Sequence, residues 1–155
     1  HALIAGGFIA GAGLEALLAP LAGRISDRVG SRLPYVVGLS ICAVAMVVIA
    51  LVPSLSQVLG GLILTSLGAG LCFAPALTLL SDVAEASSLH QGFAAGLSNM
   101  AWALGQVIGG IGSGVVADFT GNAAPSLTIA GLLAFTVIYA FRALPSDAAP
   151  RSTAG

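Results

Sequence analysis

The sequence predicts an all-α, polytopic transmembrane helical bundle of five spans, and three observations predict it. Hydrophobic residues make up 57% of the 155 residues and charged residues 7%, whereas an ordinary soluble domain is about a quarter charged. With a mean hydropathy of +1.05, such a chain cannot cover its own surface in water. It also lacks the low hydrophobicity and high net charge of a disordered segment. Five apolar stretches reach the ~20 residues that a helix needs to cross a ~30 Å hydrocarbon core, and none alternates with a period of two as a membrane strand does. Finally, the chain has five Arg and no Lys, and all five arginines fall on one side of a five-span bundle.

The first span runs from about residue 3 to 22, the second from 34 to 52 with Pro53 as its stop, and the third from 56 to 80. The fourth runs from about 92 to 116 and the fifth from about 124 to 142. The breaks between them are rich in Ser, Asp, Gly, Asn and Pro, which are turn and boundary residues. Residues 1–143 thus form the bundle, and 144–155, rich in Pro, Ser and Ala, read as a disordered tail. Arg24, Arg28 and Arg32 lie between spans one and two, and Arg142 and Arg151 follow span five. By the positive-inside rule these places, and the tail, are cytoplasmic. The N-terminus is then external. The chain starts at His1 and enters an apolar run without a leader, which reads as a piece whose N-terminal part is missing. Arg without Lys, beside abundant Ala and Gly, points to a bacterial source.

Several function classes fall away. A net charge of −1 leaves no basic stripe for nucleic acid. Cys42 and Cys72 sit in apolar runs at a spacing that fits no metal site or disulfide framework, and read as small buried hydrophobes. No cofactor is implied. Ser113 lies in Gly-Ile-Gly-Ser-Gly, but Ile111 occupies the position where an intramembrane protease needs Gly. The internal His90 is placed at the opposite end of the span, so no nucleophile–base pair forms, and catalysis is not expected.

Glu15 is the single charge expected at membrane depth. It lies nine residues before Arg24, or about 13 Å below the interface at 1.5 Å per residue. A carboxylate there normally faces a cavity or a partner. Gly11, Ala12, Ala19 and Ala22 share its side, so that face can approach other helices. Two readings stay open: a group that takes up and releases a proton during a transport cycle, or a hydrogen-bonded tie between helices. Pro20 and Pro75 lie inside spans and are expected to kink them.

Span four is two-faced. Leu97, Met100, Leu104, Val107, Ile108, Ile111 and Val115 share one side. Asn99, Trp102, Gln106, Gly110 and Ser113 share the other, flanked by Gly105, Gly109 and Gly112. The bulky side is expected to meet lipid and the polar side protein or a water-filled cavity. Asn99, Trp102 and Gln106 are candidates for a substrate wall; the alternative makes Asn99 and Gln106 interhelical hydrogen-bond glue. The pairs Gly7/Gly11, Gly92/Gly96, Gly105/Gly109 and Gly110/Gly114 offer close helix approach.

The segment Gly23-Arg-Ile-Ser-Asp27-Arg28-Val-Gly30-Ser-Arg32-Leu33 carries the most specific pattern. Gly23 permits close packing at a helix end and Gly30 a tight turn, while Asp27 offers a carboxylate to a helix N-terminus and Arg28 a guanidinium to an acidic partner. Asp82 and Glu85, in the other cytoplasmic connection, are candidate partners for the arginines. This segment resembles the cytoplasmic signature loop of the major facilitator superfamily, Gly-x-Leu-Ala-Asp-Arg-x-Gly-Arg-Arg/Lys. Gly23, Asp27, Arg28, Gly30 and Arg32 match. Ile25 and Ser26 depart mildly, and Ser31 replaces a basic residue. Residues 92–118 resemble helix eleven of that family, with a degraded antiporter motif in which Gly110 stands where Pro is usual and Ser113 at a Gly position. The resemblance implies helices eight to twelve of a twelve-helix secondary transporter in a bacterial inner membrane. It further implies partnership with a missing N-terminal half, alternating access to a midplane site, and proton-coupled efflux of a small hydrophobic compound. Import by a uniporter or symporter, and a non-transporting scaffold or sensor of the same fold, are the competing readings.

Overall fold

A computed structural model describes residues 2–51, 54–121 and 123–144. Five helices follow one another: α1 (Ala2–Val29), α2 (Arg32–Leu51), α3 (Leu55–Ala86), α4 (Gln91–Thr120) and α5 (Ala123–Ala143). No strand occurs among the described residues. All five helices are long and apolar enough to cross a membrane. Pro53, Arg151 and the tail from residue 145 on lie outside the described residues.

Three helices outrun the spans expected of them. α1 continues to Val29, α3 to Ala86 and α4 to Thr120, where the expected ends lie near residues 22, 80 and 116. With 32 residues, α3 rises about 48 Å, well beyond a ~30 Å core. Charge ends a membrane span because it resists the hydrocarbon. It does not end a helix, whose backbone hydrogen bonds persist in water. Most of the expected signature loop is therefore the last two turns of α1, and Asp82 and Glu85 sit on the last turns of α3. Both α1 and α3 are continuous through their internal Pro20 and Pro75.

What remains of the first connection is Gly30 and Ser31. Gly30 has φ +87°, the left-handed turn that glycine adopts without penalty, and its N–H donates to the Ser26 carbonyl at 2.9 Å. Ser31 precedes α2, and its carbonyl accepts the Tyr35 N–H at 3.3 Å. Pro34, in the first turn of α2, lacks an N–H only where none is needed. α3 closes through Leu89 N–H to the Ala84 carbonyl at 2.9 Å, with Ser88 at φ +53°. Gly121 closes α4 at φ +81°, its N–H donating to the Ala117 carbonyl at 2.9 Å.

Four helices pack in a row, α1–α3–α2–α5, and α4 touches its chain neighbours only sparsely. In lipid the apolar effect does not drive helices together, so close approach of small residues does. The α2–α3 crossing shows this. A methyl group on Gly38 would stand 2.6 Å from the Gly68 carbonyl oxygen and 2.8 Å from Cys72; one on Gly68 would stand 2.6 Å from the Gly38 oxygen and 2.6 Å from the Cys42 sulfur. Cys42 is buried. Two antiparallel Gly-x-x-x-Cys steps, 38/42 and 68/72, thus face each other. α1 runs parallel to α3: Gly7 meets Leu59, and Gly11 meets Ser66.

Candidate functional site

Glu15 is midway along α1 and half-buried. Its position is set by Gly70 of α3, where a methyl group would stand 3.0 Å from Leu18 Cβ and 3.3 Å from the Glu15 backbone. α3 therefore presses against one side of this turn. Gly11 and Ala22 are buried on that side. Ala12, Glu15, Ala16 and Ala19 turn the other way and, with Phe73 of α3, line an open hollow of about 350 Å³. The small-residue face expected around Glu15 thus divides, half of it packed and half of it open. The hollow offers one carboxylate, one aromatic ring and a floor of methyl groups. Phe73 was not anticipated, because nothing in the spacing of either helix places it opposite Glu15.

Several hydroxyls elsewhere in the spans are occupied by their own helices. Ser40 donates to the Val36 carbonyl at 2.8 Å, Thr65 to Gly61 at 2.8 Å, Thr78 to Ala74 at 3.2 Å, Thr128 to Ala124 at 2.9 Å and Thr136 to Leu132 at 2.8 Å. Ser113 likewise donates to the Gly110 carbonyl at 3.2 Å. His90 precedes the first turn of α4, roughly 34 Å along the helix from Ser113.

Asn99, Trp102 and Gln106 project from one side of α4 and are exposed, Trp102 at 65%. Neither amide side chain has a hydrogen-bond partner among the described residues. The opposite, bulky side is exposed as well, from Leu97 through Val115. A Cβ on Gly92, Gly96, Gly105, Gly109, Gly110, Gly112 or Gly114 would meet nothing within 4 Å. The two-faced pattern is therefore not expressed as packing within the chain. α4 makes no contact with α1 among the described residues, and none of its three candidates lines the Glu15 hollow. By contrast, Gly7 and Gly11 are used as their spacing predicted.

At the signature segment, Asp27 and Arg28 are exposed on the last turn of α1, and Gly30 makes the turn. Gly23 has open space around its Cα, so the close packing expected there does not occur. Arg32 reaches across to α5: its guanidinium donates to the Phe141 carbonyl and lies 5.0 Å from the centre of the Phe141 ring. A cation at a helix C-terminus complements the partial negative charge of its last carbonyls, and stacking on the ring adds to the contact. Ser26 and Ser31 are both buried, and the Ser26 hydroxyl donates to that of Ser31 at 2.7 Å. Asp82 and Glu85 are exposed on α3.

The family model described as Major Facilitator Superfamily matches residues 2–155. No curated protein and no solved structure matches the chain.

Proposed function

The chain belongs to the Major Facilitator Superfamily, and from that membership we propose that it forms helices eight to twelve of a twelve-helix, proton-coupled exporter of small hydrophobic compounds. Membership and five apolar helices make it a multi-pass membrane protein of a transport family. The finer reading has the two halves of the transporter rock around a midplane site, in a bacterial inner membrane with the C-terminus cytoplasmic. The grouping of all five arginines supports that orientation.

The observation that carries the reading is the Glu15 hollow: a carboxylate midway along an apolar helix, beside Phe73, in a cavity rather than in packing. Protonation there removes a charge that the hydrocarbon resists, so proton occupancy and the exposure of this hollow are energetically linked. The amides of Asn99 and Gln106 give further support. Without partners on the helices described, they are stable only against water or another polar segment, which suits a cavity wall better than a sealed scaffold.

The test is transport by the complete protein in proteoliposomes under an imposed pH gradient. Glu15→Gln is expected to abolish the response to the gradient while downhill flux persists. An unchanged response removes Glu15 from coupling, and flux indifferent to the gradient in the unsubstituted protein favours a uniporter. Asn99→Leu and Gln106→Leu are expected to lower flux without lowering thermal stability; loss of stability instead assigns them to helix–helix hydrogen bonding.

A further inference from the structure

We propose that the groove between α2, α3 and α5, at the arginine-bearing end of the bundle, holds an anionic phospholipid, with one acyl tail in the groove and the headgroup at Arg142. This is a second site, on other helices than the Glu15 hollow, and it does not rest on the transport reading.

The groove has a volume of about 320 Å³ and lies among Tyr35 of α2, Leu79 and Val83 of α3, and Thr136, Tyr139 and Ala140 of α5. No residue of α4 lines it. Its walls are apolar, and the Thr136 hydroxyl is turned away into its own helix, onto the Leu132 carbonyl at 2.8 Å. The groove sits where α2 begins and where α3 and α5 end, the level of one membrane surface. Tyr35 and Tyr139 place amphipathic rings there, as residues at the headgroup level commonly do. Tyr139 is 64% exposed.

Charge decides which lipid. Arg142 lies three residues, one turn, beyond Tyr139 on the last turn of α5, is exposed, and has no hydrogen bond or ion pair among the described residues. Arg32 already lies against that turn at Phe141. The Arg142 guanidinium thus stands at the end of α5, one turn beyond Tyr139 of the groove, and phosphate is the anion that a membrane surface supplies. A tail gains little by leaving the bilayer, which is as apolar as the groove. The groove therefore fixes where the headgroup stands, and arginine selects its charge. Selectivity should appear between headgroups, not between tails.

The experiment is native mass spectrometry of the intact protein with phosphatidylglycerol and phosphatidylcholine of identical tails. A preference for phosphatidylglycerol is expected, reduced about five-fold by Arg142→Gln and retained in Arg24→Gln, which removes the same charge elsewhere on that side. Val83→Trp, which fills the groove, is expected to release the bound lipid. Equal losses in the two arginine variants overturn the site in favour of a diffuse basic surface, and so does the absence of any headgroup preference. Should Val83→Trp fail to fold, phosphatidylglycerol with a photoreactive tail tests the unsubstituted protein. Labelling of Val83 or Tyr139 is expected. Labelling only of α1 or α4, or none in the groove because α4 has folded over it, overturns the proposal.

Discussion

Ser26 and Ser31 illustrate what a single pair of side chains settles. Read in the chain, they are two separate departures from the signature pattern, one in place of a small apolar residue and one in place of a basic residue. In the folded protein they are one feature, a buried hydroxyl pair 2.7 Å apart that ties the end of α1 to the start of α2. A basic side chain at position 31 would have to leave that pocket and would strand the Ser26 hydroxyl. An unsatisfied buried donor costs about 1–3 kcal/mol, so Ser31→Arg is expected to lower the unfolding free energy by that amount in detergent. An unchanged melting temperature would show that the pair contributes nothing. Arg32 carries a similar lesson. The sequence offered Asp82 and Glu85 as partners for the arginines of this segment, and the structure adds a carbonyl and an aromatic ring on α5. A backbone carbonyl is invisible to charge matching, which is why α5 was not foreseen as a partner.

At the scale of elements, close approach is decided by which glycines meet, not by how many there are. α4 is the richest in glycine pairs, yet space is open around them. The tightest crossing uses Gly38 and Gly68, each paired with a cysteine four residues on. The signal was present, since Gly-x-x-x-Cys is a small-x-x-x-small step. Many such steps occur in this chain, and the pattern alone does not say which of them meet. Gly38→Ala would push a methyl group to 2.6 Å from a backbone carbonyl, a contact that no side-chain rotation relieves. It is expected to destabilise the protein by about 1–3 kcal/mol in thermal unfolding. Gly60→Ala, where the new methyl group meets nothing within 4 Å, is expected to be neutral or slightly stabilising. Equal effects at the two positions would mean that the α2–α3 crossing is not where these helices are held.

For the whole molecule, the row α1–α3–α2–α5 leaves α4, with its polar side chains, outside the packed part. The Glu15 hollow and the Asn99, Trp102 and Gln106 face do not converge into one site. In the proposed reading each borders a cavity whose other walls belong to further helices of the transporter. Alternating access needs two halves to rock against each other. The 155-residue polypeptide reconstituted alone is therefore expected to give no gradient-driven flux, where the complete protein does. Flux from the isolated polypeptide would refute the assignment to helices eight to twelve.

Sequence alone determined the fold class and the five helices. Each follows from a local cost: polar surface in hydrocarbon, or a span of fixed length. Family membership was legible too, because Asp27, Arg28 and Gly30 lie close together in the chain. Only the tertiary structure decided that α1 and α3 continue past their charges, that Gly38 meets Gly68, that Phe73 faces Glu15 and that Arg32 grips α5. In lipid the apolar pattern says which faces avoid water, but it does not say which faces meet. That choice rests on the fit of small residues across helices distant in sequence, which no local pattern records.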